Sequence, residues 1–381
     1  MKIRIGIMMR AMDQDSGFRA FTEGLVDNML RIDDENLYVL FYRTKKYLGH
    51  FSSYRNVKEV YLGAPHKFAW DQISVPYRAW KEKVDIIFNP KFSVPLVSHC
   101  PVAMGLQEPA WWTEPEYYEW FDVLYNKTML PLYCRKASQI FPMSNFILDE
   151  NRKYLGLPFD NAIVTHTVPG PQFRPIEDTG FLETIRAKHG LPQRFIFNPT
   201  RVDHPGLDKS DSFFGGKNPD TTLRAFTMCR AEIPHELVFA GRRVREYFLH
   251  LGFRDKDFER VRFIGFVPLE ELAGLYNLAE LVVIPSFYEG CPATIMQAMA
   301  CGSPVIASKT GGSPEVSGDG ALLVDPHNPA EVAREMKAVL MNENLRKELK
   351  PKGLKRASFF NWQRTAKLTL DGLVRAARKS S

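Results

Sequence analysis

The sequence is poor in cysteine, and what it has forms no paired motif. Cys100, Cys134, Cys229, Cys291 and Cys301 are scattered, odd in number and without a C-x-x-C. That argues against a disulfide framework and a cysteine-based zinc site, and makes a reducing cytoplasm the expected setting. Long apolar runs are missing too: LVVIP and PVIAS stop after about five residues, where a membrane span needs roughly 18. The opening MKIRIGIMMR enters a strand pattern directly, without the charged region, hydrophobic stretch and cleavage site of a signal peptide, so export is not expected. No strand leads into G-x-G-x-x-G, which disfavours a dehydrogenase. Charge of one sign is only mildly in excess, with 50 Lys and Arg against 44 Asp and Glu. The basic runs RKELKPKGLKR (346–356) and RAARK (375–379) read as solvated helix faces without a nucleic-acid module. Nucleic acid is therefore not an expected partner, while weak peripheral contact with an anionic membrane stays open.

What is present is an ordinary globular composition, 45% hydrophobic and 25% charged over 381 residues, which suits two cores better than one. Short apolar runs alternate with helical-period segments, the mark of βαβ units and parallel sheets covered on both faces. Strands are expected at 2–9, 37–43, 57–61, 84–88, 101–106, 138–143 and 162–168, then, as the pattern restarts, at 194–198, 236–240, 261–265, 281–285, 304–307 and 321–324. Between the first two, Phe18, Phe21, Leu25 and Met29 share one helical face. The proline- and glycine-rich VPGPQFRPIEDTG places the boundary near 168–180. The expected organisation is one Rossmann-like domain over 1–172, a second over 173–358, and a closing helix within 359–381. The stretch 203–216, DHPGLDKSDSFFGG, is longer than the usual connection of about two to six residues.

Residues 266–316 carry the chemistry. A buried strand ends at Pro285, a short turn carries Glu289 and Gly290, a helix opens at Pro292, and Cys301-Gly302 ends it. The helix N-terminus suits a phosphate, and in an open α/β sheet this is where ligands bind. The segment resembles the donor-binding signature of family 4 retaining glycosyltransferases, whose fold, GT-B, consists of two doubly wound Rossmann-like α/β domains facing a cleft. The family's Glu, seven residues, Glu stands here as Glu289, GCPATIM and Gln297, followed by AMACGSPVIAS and TGGSPE. The likeness is close from about 195 to 340 and holds in outline before that.

The resemblance implies that Glu289 holds the donor sugar ring, that backbone N–H groups around Gly290, Cys291, Ala293 and Thr294 face sugar hydroxyls and the diphosphate, and that Gln297 reaches the ribose. Base contacts come from backbone near Val267, which leaves UDP-, GDP- and other nucleotide-sugars open as co-substrate. Arg201 in NPTRV and Lys217 in GKNPDTTLRAF supply the cations that clamp the leaving diphosphate, with Lys209 in the long loop as a rival to Lys217. Two fixed cations and a helix dipole leave no need for a divalent metal. No metal or other cofactor is expected, and the triplets DQD (13–15) and DKD (255–257) are discounted.

By the same resemblance the first domain binds the acceptor, the second binds the donor, and the closing helix crosses back to the first. In the first domain, Gly17 opens a helix, either as a cap or, as the resemblance implies, to let the donor approach the backbone. Gln107-Glu108 stands where the family has a His-Asp pair, and His99 lies too far upstream to replace the histidine. AWWTEPEYYEW then offers Trp111, Trp112, Tyr117, Tyr118 and Trp120 among acids, a composition that suits either a sugar platform or a packed loop. The expected activity is metal-independent, retaining transfer of a hexosyl group to a glycan, lipid-linked or small-molecule acceptor, in the cytoplasm or at the inner face of the membrane. The competing expectation is a nucleotide-sugar-binding protein that has lost catalysis, suggested by glutamine at both 107 and 297.

Overall fold

The computed structural model describes residues 2–14, 17–113, 115, 118–202 and 215–379. Lys209, Asp15 and Tyr117, named above, lie outside the described residues. The chain divides into two compact units. Unit 1 comprises Met1–Pro115, Glu119–Val168 and Asn361–Ser381, and unit 2 comprises Glu116–Tyr118 and Pro169–Phe360.

Unit 1 is built on β1 (Arg4–Met8), β2 (Leu37–Tyr42), β3 (Val57–Tyr61), β4 (Ile86–Asn89), β5 (Val102–Leu106) and β6 (Gln139–Pro142). They form one parallel sheet in the order β3-β2-β1-β4-β5-β6. The helix Gly17–Ile32 buries Phe21, Leu25 and Met29, as its periodicity predicts, while Phe18 is half-buried. The closing helix Trp362–Arg378 joins the same core through Ala366 and Leu373. It seats against Gly24, where a Cβ would lie 2.4 Å from the Trp362 ring.

The strand expected at 162–168 is not there; only the single bridge Ile140–Ala162 forms. The reason lies across the ladder. Ile163 N–H bonds Ile140 O at 2.9 Å and Thr165 N–H bonds Pro142 O at 2.8 Å. The bond that should run between them requires an N–H on residue 142, which proline lacks.

Unit 2 holds β7 (Phe195–Pro199), β8 (Glu236–Ala240), β9 (Val261–Phe263), β10 (Leu281–Ile284), β11 (Val305–Ser308) and β12 (Leu322–Val324), again all parallel, in the order β12-β11-β10-β7-β8-β9. Successive residues point to opposite faces. Phe195, Phe197, Val282 and Ile284 enter one core, and Ile196, Leu281, Val283 and Ile306 enter the other. Burial on both faces explains why these strands read as continuous apolar runs.

Read from β9, the second sheet repeats the first: third, second, first, fourth, fifth, sixth strand. Each therefore reverses direction between its first and fourth strands, and ligands in such sheets bind beyond the carboxyl ends at that reversal. In unit 2 the place lies beyond β7 and β10; in unit 1 it lies beyond β1 and β4.

Candidate active site

Beyond β10 the chain turns through residues 285–292 before the helix Ala293–Ala300. Pro292 has φ −69° and ψ 98°, so it stands just before the helix rather than at its first position, one residue off the expectation. The helix ends as predicted, with Gly302 at φ +78°.

The turn is clamped from elsewhere in the unit. Thr310 Oγ1 donates to Ser286 O at 3.2 Å and to Phe287 O at 2.9 Å, and Gly312 N–H donates to Glu289 O at 2.8 Å. A Cβ on Gly312 would lie 2.1 Å from Gly290 O, and one on Gly216 would lie 2.3 Å from Tyr288 O. These glycines are required by close backbone approach. Clamping fixes the orientation of Glu289, which is buried and bonded through both carboxylate oxygens. Oε1 accepts from Ser286 Oγ at 2.5 Å, and Oε2 accepts from Lys217 Nζ at 2.6 Å.

Lys217 ends the short turn Gly215–Lys217, and the next residue explains its position. Asn218 adopts φ 49°, a left-handed conformation that asparagine tolerates, and caps the helix Pro219–Cys229. Its Nδ2 donates to Pro285 O at 2.8 Å and to Pro326 O at 2.9 Å, tying Lys217 to the end of β10. The fold thus brings together two predicted residues far apart in sequence. Arg201 is exposed and lies two residues past the end of β7.

Gln297 is half-buried, and its Oε1 accepts from the Tyr276 hydroxyl at 3.4 Å. Burial, then Cys301 and Glu289, raises the Tyr276 hydroxyl well above its ordinary pKa, so it stays a neutral donor. Val267 and Gly290 are buried, while Cys291, Ala293 and Thr294 are half-buried. The Thr294 hydroxyl oxygen is buried without a hydrogen-bond partner.

In unit 1, Gly17 is the first residue of its helix, and no described atom would come within 4 Å of an added Cβ. Gln107 and Glu108 follow β5 and are half-buried; Gln107 Nε2 is buried and without a partner. His99 precedes β5, with Nε2 3.0 Å from Val84 O, so it sits at the opposite end of the strand from Gln107. Trp111 and Trp112 lie on the short helix Ala110–Thr113. The Trp111 ring meets Phe92 edge-on at 5.0 Å, and Lys127 Nζ lies 5.9 Å from the Trp112 ring. Trp120, from the same aromatic stretch, is mostly exposed at the start of the helix Trp120–Lys136.

Both acidic triplets have other work. Asp13 accepts from Thr44, Asp255 pairs with Arg245 at 2.7 Å, and Asp257 accepts from Arg254 N–H. Among the described residues no group of three or more His, Cys, Asp or Glu is placed to hold a metal ion. The sequence reading missed Ser286, Asn218 and Thr310. Only the spacing Ser286-x-x-Glu289 hinted at the first, and the other two act through tertiary contacts.

Two Rossmann-like units with this strand order define the GT-B fold. Solved structures agree across nearly the whole chain. A glycosyltransferase from Rickettsia africae superposes with a TM-score of 0.74 at 13% identity, covering 98% of both chains. Anabaena Alr3699/HepE in complex with UDP and glucose gives 0.69 at 16% identity, covering 98% of this chain and 100% of that one. The family model for Glycosyl transferases group 1 matches residues 210–356, and over that stretch the chain is similar to family 4-type glycosyltransferases. Among curated relatives, the serotype-specific mannosyltransferase WbdA of Escherichia coli is 27% identical over 252 residues, a match that covers 64% of this chain and 30% of that protein. The chain thus spans about a third of the length of that relative.

Proposed function

We propose that the protein moves a sugar from a nucleotide-sugar donor to an acceptor, with retention of anomeric configuration and without a metal ion. The observation that carries this reading is the pairing of Lys217 with Glu289 at the strand-order reversal of unit 2, beside the N-terminus of the helix Ala293–Ala300. Glu289 holds the donor ring. Arg201 and Lys217 oppose the charge that grows on the departing diphosphate, assisted by backbone N–H groups at Gly290, Cys291, Ala293 and Thr294. The unpartnered Thr294 hydroxyl supports a ligand partner there. Gln297 reaches the ribose, and backbone near Val267 meets the base.

With cations and a helix dipole already in place, the leaving group needs no divalent ion. The bond from the anomeric carbon to the phosphate oxygen breaks, a donor phosphate oxygen takes the acceptor proton, and the acceptor oxygen bonds the same face. Unit 1 takes the acceptor, a carbohydrate or lipid-linked sugar, through Gln107, Glu108, Trp111 and Trp112. The names of the mannosyltransferase relatives make mannosyl donors the first to try.

The same reading has the protein work in the cytoplasm, with weak peripheral contact at the inner face of the membrane. Ile73, Tyr77 and Trp80 are exposed on successive turns beside Arg78 and Lys81, and Trp120, Phe121 and Leu124 are exposed on a helix ending in Arg135 and Lys136. Aromatic and basic side chains together suit an anionic interface. Among the described residues no helix is long and apolar enough to cross a membrane.

The test is nucleotide release from UDP-, GDP-, ADP- and dTDP-sugars in excess chelator, first without and then with acceptor, with the product's anomeric configuration read by NMR. Release and a retained product are expected. Activity restored only by magnesium or manganese removes the metal-free reading, and an inverted product removes retention.

A further inference from the structure

The strand-order reversal of unit 1 carries charge that the donor-side chemistry does not use. Arg10 follows β1 on the turn Met9–Asp13, and Lys91 and Ser93 follow the neighbouring β4, so all three stand at the carboxyl edge where sheets of this kind bind ligands. Arg10 is held rigidly. Its Nε lies 3.3 Å from Asp71 Oδ1 and its Nη2 donates to Ser93 Oγ at 3.2 Å, while Ser93 Oγ donates to Asp71 Oδ2 at 2.9 Å. Asn89 Nδ2 in turn fixes Ser93 through its carbonyl at 2.6 Å and its hydroxyl at 3.0 Å. Asp71, Ser93 and Asn89 are each about 1% exposed, so this is a built scaffold rather than a surface pair.

Lys67 and Lys91 stand beside it with little countercharge. Lys91 Nζ donates to Gln14 Oε1 at 2.6 Å and lies 5.0 Å from the Phe18 ring, and Lys67 Nζ lies 5.7 Å from the rings of Phe92 and Tyr125. Burial first, then the positive charges of Arg10 and Lys67, push the Lys91 ammonium down to about 8; burial and then Arg10 lower Lys67. Among the described residues the carboxylates that oppose these shifts are Asp71 and, for Lys67, Asp122. Asp71 is already committed to Arg10 and also feels Arg43. Gathering cations where each weakens the next is unfavourable until an anion joins them.

We propose that Arg10, Lys67 and Lys91 form an anion subsite in unit 1 that takes a phosphate monoester carried by the acceptor. The surplus of cations over carboxylates suits a dianion better than a carboxylate. The neighbouring rings place the rest of the acceptor: Phe92, beside Lys67, packs against Trp111, so a phosphate held by the lysines leaves the attached sugar next to the aromatic helix Ala110–Thr113. This inference rests on the reading of unit 1 as the acceptor-binding half.

The test is calorimetric titration of the full chain at fixed ionic strength with glucose 6-phosphate, glucose, glucuronate and inorganic phosphate. It uses wild type, Lys67→Met, Lys91→Met and Lys91→Arg, each checked by thermal melting, with donor hydrolysis measured on the same wild-type preparation. Glucose 6-phosphate should bind wild type at least about tenfold more tightly than glucose or glucuronate, which corresponds to about 1.4 kcal/mol. Either methionine variant should lose that advantage, and Lys91→Arg should keep it. Equal binding of the three sugars, phosphate binding untouched by both methionine variants, or binding of inorganic phosphate alone would each overturn the subsite. Hydrolysis without sugar-phosphate preference refutes the subsite alone; preference without hydrolysis leaves the subsite standing and counts against the transferase.

Discussion

Lys217 Nζ donates to Glu289 Oε2 over 2.6 Å, so the cation proposed for the leaving diphosphate and the carboxylate proposed for the donor ring hold each other. On the proposed reading, donor entry draws the ammonium toward phosphate while Ser286 keeps the carboxylate in place.

Substitutions at this pair should therefore affect folding and catalysis differently. Glu289→Ala or Lys217→Ala should lower turnover by about 10²–10³, the scale for removing one electrostatic stabiliser of a transition state. Lys217→Met should also lower the melting temperature by leaving a buried carboxylate underpaired, and Lys217→Met with Glu289→Gln should recover part of that loss. A double-mutant cycle in urea unfolding should give a coupling of about 0.5–3 kcal/mol. Purely additive losses would mean that the contact carries no energy.

Two glycines should respond in opposite ways. Gly312→Ala puts a methyl 2.1 Å from Gly290 O and must push the turn that carries Glu289. A loss of about 1–3 kcal/mol in stability, the cost of overpacking, should come with a collapse of turnover. Gly17→Ala meets no described atom within 4 Å, so its melting temperature should hold. A raised KM for either substrate would identify Gly17 as a point of ligand approach; unchanged kinetics would leave it a helix cap.

Gln297 already has a neutral donor, the Tyr276 hydroxyl, at 3.4 Å. Gln297→Glu exchanges a neutral hydrogen bond for a charge-assisted one, a gain of roughly 1 kcal/mol. Donor affinity measured by titration should then change by less than about tenfold, with turnover preserved. An inactive wild type switched on by this substitution would reverse the assignment.

Acid sensitivity should centre on Glu280. Burial alone would raise this carboxylate, but hydrogen bonds from Arg194 at 2.7 Å and His235 at 3.1 Å outweigh it and hold Glu280 at about 2. An unfolded glutamate titrates near about 4.3, so the folded state binds its proton later. The contribution is fully present above about pH 4.3 and is lost as pH falls through the folded value. Stability of unit 2 followed by urea unfolding should drop across that window, and Glu280→Gln should flatten the drop while lowering stability at neutral pH. A wild-type slope that survives the substitution would assign it elsewhere.

The sequence revealed what is local. Apolar runs located the buried strands because both faces of each sheet are covered, and the order strand, turn with Glu289, helix, glycine was readable because each residue type suits its own backbone conformation. Position 162–168 misled because the missing N–H belongs to Pro142, in a different segment. Pro292 fell one residue short because a helix's first residue and its cap both accept proline. Asn218, Thr310 and the Arg10–Asp71–Ser93 scaffold were hidden for a common reason. Their partners lie about 20 to more than 100 positions away, and a charge inside an apolar run such as IMMRAMD gives no sign of what it will face.

The helix Trp362–Arg378 has a consequence for how the protein is made. Its Trp362 fills the space over Gly24, and Ala366 and Leu373 finish the core begun by Phe21 and Leu25. During synthesis the first sheet must therefore wait, one flank uncovered, while the whole of Pro169–Phe360 is translated. Unit 2 is continuous apart from three residues and has no such wait, so it can condense on the ribosome before the unit that precedes it is finished. Nascent chains arrested before residue 361 should thus display an apolar groove along Gly17–Ile32, the surface a chaperone would meet first.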